Sequence, residues 1–179
     1  MTPNSLQELY VKELNDLYDA EQQIIKALPE MIAAATSQDL RQALSEHLEI
    51  TNLQAERLEQ IFAALGVKAK REKCKGMEGV IEEGSDLVGD IEDPEVRDAA
   101  IIASAQRVEH YEMAGYGTVR TYATLLGDDK ASQMLQGTLD EEKEADQRLT
   151  MLASAVNAHA TKGEAAAEEP IEQKEREAA

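Results

Sequence analysis

The chain has 179 residues, 42% apolar and 30% charged, with 4 prolines, 1 phenylalanine and no tryptophan. That length supports one domain with a substantial core, and the wealth of Ala, Glu, Leu and Gln is a helical composition. With 36 acidic against 18 basic residues the formal net charge is -18, a field that repels phosphate backbones and anionic lipid, so no nucleic acid partner is expected.

Cys74 is the single cysteine, so there is no internal disulfide, and the opening MTPNSLQELY lacks the basic and then apolar pattern of a secretory signal. No apolar run approaches the roughly 20 residues that cross a bilayer. A cytoplasmic protein with no membrane segment is expected.

Ser5 and Glu8 form a capping box that opens a first helix, carried by its apolar spacing to about Ala35, with a kink expected at Pro29. Ser37 or Thr36 caps a second helix, which Gly66 stops after Leu65. From Val67 to Asp93 the pattern is interrupted by Gly76, Gly79, Gly84 and Gly89 around a weakly amphipathic GVIEEGSDLV, so a long connection with one short helix is expected. Asp93 and Pro94 supply the cap and first position of a third long helix, which ends near Leu126. Gly127, Asp128 and Asp129 form the turn into a fourth, which reaches about His159.

Residues 161–179 are acidic and almost free of large apolar side chains, and read as a mobile tail after a domain spanning 1–160. The expected fold is all-α. Two tight helical hairpins joined by one long crossover have the connectivity of a ferritin-like four-helix bundle.

Acids interrupt the inward stripes of three helices. Glu21 shares its stripe with Leu17 and Ile24, Glu109 and Glu112 theirs with Ile102, Tyr116 and Val119, and Glu142 and Asp146 theirs with Leu139 and Leu149. Counting from the turns, Glu21 lies about 15 residues from the first, level with Thr51, while Glu112 and Glu142 are each about 15 residues from the second. The five acids thus form two adjacent layers at mid-height, with Gln54 about one turn away.

One such glutamate would read as a boundary residue reaching water. Five at matched height require positive charge or protons, and the nearest inward-facing base, Arg120, is about 12 Å from Glu112 along its helix. A pair of metal ions answers this, and hard oxygen ligands suit iron or manganese. Tyr116 reads as core packing, and His47, a lone inward imidazole, as a satisfied core or supporting group. His110 and His159 fall off the stripes, and Cys74 reads as a half-buried inert thiol.

The segments DLYDAEQQI, EHLEITNLQAERLEQIF, REKCKGMEGVIEEG, RVEHYEMAGYGT and TLDEEKEADQRLT resemble the YciE/YciF family of bacterial ferritin-like stress proteins over residues 5 to 160. The resemblance implies an intracellular homodimer linked to stress responses, with a fold related to rubrerythrin and bacterioferritin. It supplies no substrate.

The ferritin-like motif has a Glu on the first helix, Glu-x-x-His on the second, Glu on the third and Glu-x-x-His on the fourth. Glu21, Glu112 and Glu142 fit, and Glu109 matches the extra acid of rubrerythrin-like helices. The second helix departs, with Thr51 and Gln54 in the Glu and His positions, and Glu49 points away from the stripe. On the fourth, Ala145 takes the histidine position, with Asp146 beside it as a substitute.

The expected metal ligands are therefore Glu21, Gln54, Glu109, Glu112, Glu142 and Asp146. Two functions follow: a di-iron carboxylate protein whose ions could react with oxygen or peroxide, or a non-enzymatic dimeric stress or structural protein with a degenerate site. Iron storage would need a closed cage, against the dimer that the resemblance implies.

Overall fold

The computed structural model describes residues 2–70 and 72–167. Its helices are α1 (Leu6–Ala34), α2 (Gln38–Ala64), α3 (Lys75–Asp90), α4 (Pro94–Leu125) and α5 (Asp129–Ala167), with no strand among the described residues. α1 packs on α2 and α4 on α5 as two hairpins; α1 meets α4, α2 meets α5, and α3 lies against α4 and α1. The expected ferritin-like bundle with its crossover helix is observed.

The caps explain the boundaries. Ser5 accepts from the Glu8 amide at 3.1 Å to start α1, Ser37 accepts from Leu40 to start α2, and Asp93 accepts from Glu95 and Val96 at 2.9 Å, with Pro94 opening α4. α2 and α4 end on glycines with positive φ, Gly66 at 69° and Gly127 at 77°. There the Val67 amide reaches back to the Phe62 carbonyl and Asp128 to Ala123, a closure that costs an L side chain strain. α1 runs on through Pro29 to Ala34.

The expected crossover helix, α3, is longer than the GVIEEGSDLV stretch alone: a continuous helix of 16 residues containing all four glycines. Two of them let it approach α4 closely. A Cβ on Gly76 would stand 2.6 Å from the Tyr111 ring, and one on Gly84 2.9 Å from Ser104 Cβ. Contact with α4 thus outweighs the entropy that glycine loses in a helix. α5 likewise continues past His159, through an alanine-rich stretch of high helix propensity. The rest of the tail expected at 161–179 lies outside the described residues.

Two apolar clusters fill the bundle. One, with Ile24, Leu28, Leu44, Met77, Ile101 and Leu149, lies toward the α1–α2 turn and α3. The other, with Leu14, Leu58, Phe62, Tyr116, Val119 and Leu135, lies toward the α4–α5 turn. What separates them is polar.

Candidate metal centre

Each long helix gives its mid-height turns to one layer between the apolar clusters. α1 contributes Glu21 between Leu17 and Ile24; α2 contributes His47, Thr51 and Gln54 between Leu44 and Leu58. α4 contributes Glu109 and Glu112 between Ile102 and Tyr116, and α5 contributes Glu142 between Leu139 and Leu149. All seven are buried, Glu21, Glu112 and Glu142 at 0% exposure. Among the described residues one donor atom from each of His47, Glu109, Glu112 and Glu142 lies within 4.8 Å of the other three.

Some atoms of the layer are satisfied by neighbours. The Tyr116 hydroxyl donates to Glu21 Oε1. Gln54 Nε2 donates to Glu142 Oε1 and, at 3.1 Å, to Glu141 Oε2. Thr51 turns back on its own helix, donating to the His47 carbonyl at 2.9 Å, and so gives its proton to none of the acids.

Other atoms have no hydrogen-bond partner outside the layer: Glu21 Oε2, Glu109 Oε2, both oxygens of Glu112, Glu142 Oε2, Gln54 Oε1 and both ring nitrogens of His47; within it the Glu21 carboxyl faces that of Glu112, and the Glu109 carboxyl that of Glu142. His47 Nε2 does lie 3.3 Å from Glu109 Oε1, a contact without hydrogen-bond alignment.

The electrostatics follow from this crowding. Burial, then the charge of Glu142, pushes the Glu21 carboxyl well above its usual range. Glu109 is raised by burial and then by Glu142, Glu112 by burial and then by Glu21, and Glu142 itself by burial. Burial also pulls the His47 imidazole down to about 4, leaving it neutral at pH 7 with a lone pair to offer.

The nearby guanidinium is that of Arg57 on α2, which the apolar stripes did not reveal. It is committed to Glu141, with two hydrogen bonds of 2.9 Å, and also donates to Thr138. Burial works against Glu141's charge, yet the paired guanidinium outweighs it and holds the carboxyl low. The charge of Arg57 also favours ionised Glu21 and Glu142, yet both carboxyls stay raised, so the compensation of the four core glutamates is only partial.

Of the six expected ligands, Glu109, Glu112 and Glu142 lie in the four-residue cluster. Glu21 sits beside them, close enough to raise both Glu109 and Glu112. Gln54 borders it with a free carboxamide oxygen. Asp146 stands outside the cluster. Its side chain is 21% exposed, accepts from Gln106 Nε2 at 3.0 Å and meets His110 Nε2 at 3.4 Å. On α5 Leu135, Thr138, Leu139, Glu142, Leu149 and Val156 are buried, whereas Asp146 is half-buried at the edge of that face.

His47, expected to be satisfied, is the residue that joins the acids. Its signal was its place one turn before Thr51 on the same inward line. Cys74 is fully rather than half buried: it caps α3, contacts Asp16 Oδ2 at 3.1 Å and the Tyr111 hydroxyl at 3.0 Å, and burial pushes its thiol up.

Hard carboxylate oxygens without partners, a neutral imidazole and a free carboxamide oxygen make a donor set that fits a divalent cation. The fold has relatives with this chemistry. The chain aligns with ferritin-like, diiron-carboxylate proteins of Bacillus anthracis at a TM-score of 0.66 and 15% identity, covering 85% of this chain and 99% of theirs, a likeness of fold.

Much closer is YciF of Escherichia coli K12, 45% identical over 154 residues, which are 86% of this chain and 93% of YciF. The structure of that stress protein matches at a TM-score of 0.84 and 43% identity, over 87% of this chain and 99% of it. YcfI of Rhodopseudomonas palustris matches at 0.81 and 47%, over 82% and 94%. Residues 5–162 match the domain of unknown function DUF892, and with YciF so alike across most of both chains, the chain belongs to the YciE/YciF family of ferritin-like proteins.

Proposed function

We propose that this protein binds iron or manganese in its buried carboxylate layer and serves in a stress response by reacting with oxygen or peroxide. The observation that carries this reading is the set of five unpaired carboxylate oxygens, on Glu21, Glu109, Glu112 and Glu142, around an unbonded His47. Unpaired and ionised, such groups would each cost several kcal/mol. Two divalent ions would balance four carboxylates. A bound iron or manganese ion would supply the reversible redox couple that oxygen or peroxide chemistry needs.

The chain's own residues set the conditions for it. The glutamates present hard oxygens, the apolar clusters above and below wall the layer, and the Tyr116 hydroxyl holds a proton toward Glu21 Oε1. YciF is called a stress protein, which supports the stress assignment, and a cytoplasmic homodimer is part of the same reading.

Metal counted per chain after anaerobic ferrous loading tests it. Wild type should retain about one to two ions, as a bundle-core carboxylate site does, and consume peroxide, whereas Glu109→Gln with Glu142→Gln should lose both. A wild type that stays empty ends the metal reading.

A second reading, a dimeric scaffold with a degenerate site, is favoured by one observation: Thr51 donates to its own helix, and Ala145 has no donor to give. The empty wild type is its expected result, together with a dimer by sedimentation.

A further inference from the structure

A cavity of about 260 Å³ lies among the five helices on the α3 side of the carboxylate layer. Its walls are aliphatic, with Ile24 and Leu28 from α1, Leu44 from α2, Ile81 from α3, Ile101 from α4 and Leu149 from α5. Glu144, which is exposed, and Glu46 and Arg148, which are half-buried, mark its open side. Three buried polar side chains mark the inner end: His47, Ser104 and Glu109. Ala145 lines it too, its small side chain leaving room where the ferritin-like motif has an imidazole.

Two features suit this space to an occupant. It opens to solvent on one side, so an apolar guest that displaced water from its aliphatic walls would gain both burial and contact. In addition, Ser104 Oγ is buried with no hydrogen-bond partner, although a hydroxyl can both donate and accept.

The lining also restricts what can enter. Glu46, Glu109, Glu141 and Glu144 face a single guanidinium, Arg148, which already donates to Glu46, so an anion is repelled. The aliphatic walls refuse an unpaired cation. A cavity of roughly 150 Å³ accommodates benzene, so this volume suits about ten non-hydrogen atoms.

We propose that the cavity binds a neutral, mainly apolar organic molecule of about that size with one hydroxyl or carbonyl group, its polar end against Ser104 and its body among the aliphatic walls. The cavity shares His47 and Glu109 with the carboxylate layer at its inner end, but the proposal needs no bound metal, since Ser104 and the aliphatic walls carry it.

The probe is 1-naphthol, titrated into the chelator-treated full-length protein and followed by its own fluorescence, which the absence of tryptophan leaves clear. Saturable one-to-one binding, displaced by 1-octanol, is expected. Ala27→Leu and Ala105→Leu each push an isobutyl group into the cavity, from α1 and from α4, and should weaken binding about tenfold or more while circular dichroism stays helical. Ser104→Ala should reduce the preference for 1-naphthol over naphthalene.

No saturable binding by wild type, or undiminished binding in the folded leucine variants, overturns the proposal. Should both leucine variants fail to fold, an unchanged naphthol-to-naphthalene preference in Ser104→Ala overturns it. Metal counts on the same samples keep the two readings apart, because each can fail while the other succeeds.

Discussion

Glu112 sits at 0% exposure, and what its carboxyl faces is the carboxyl of Glu21 rather than a donor that would hold its charge. Glu112→Met keeps the length of the side chain and its helix propensity and removes both oxygens. An unsatisfied buried polar group costs about 1–3 kcal/mol, so the substitution should stabilise the chelator-treated protein by about that amount at pH 7.5. For a chain of this length that raises Tm by roughly 2–12 °C.

The sign with pH follows from the raised carboxyl of Glu112. The folded state holds this proton more tightly than the unfolded one, so its contribution is fully present below the ordinary value of 4.5 and is lost as pH rises through the folded value. The advantage of Glu112→Met should therefore widen between pH 5 and pH 8. With manganous ion present the order should reverse, because methionine removes a hard ligand and with it the stabilisation that binding confers. Scanning calorimetry at both pH values, with chelator and with metal, measures all of this. A chelator-treated Glu112→Met protein less stable than wild type at both would refute the account of an uncompensated carboxylate.

His47 and the glycines of α3 give two further tests. Burial lowers the His47 imidazole from 6.5 to about 4, so its contribution is fully present above 6.5 and is lost as pH falls toward 4, about 3 kcal/mol in all; NMR of the metal-free protein should show this ring still neutral at pH 5, and a midpoint near 6.5 would contradict its burial. Gly79→Ala, with nothing within 4 Å of the new Cβ, should stabilise by about 0.5–1 kcal/mol, whereas Gly84→Ala, with Ser104 Cβ at 2.9 Å, should cost about 1–3 kcal/mol, and urea titrations giving both the same sign would count against the packing of α3 on α4.

The contrast between those two glycines shows what the sequence could carry. A glycine-rich stretch reads as a break because the entropic cost is local and visible, while the compensation comes from Tyr111 and Ser104, which lie on another helix. The four long helices were legible because their caps and stops are local: Ser5, Ser37, Asp93, Gly66 and Gly127 act within a few residues. The buried glutamates were legible for a related reason, since a 3.5-residue period places Glu21, Glu109, Glu112 and Glu142 on lines otherwise apolar. Asp146 satisfied the same arithmetic and still stands partly exposed, where Gln106 and His110 meet it instead of the layer.

What the period could not reveal is how α2 takes part. Thr51 and Gln54 occupy the positions where a bridging carboxylate and an imidazole would stand, which reads as loss. In the structure the imidazole comes instead from His47, one turn before Thr51 and two before Gln54, while Gln54 bridges the core acid Glu142 and the outer acid Glu141, itself held by Arg57. An additional carboxylate at position 51 would add charge to a layer that already carries four acids without a cation of their own. Thr51, bonded to its own helix, leaves the count of acids at four, the number that two divalent ions neutralise. The departure from the ferritin-like motif on α2 is thus compatible with a working site, and the donor set of three glutamates and one histidine is where binding should be strongest.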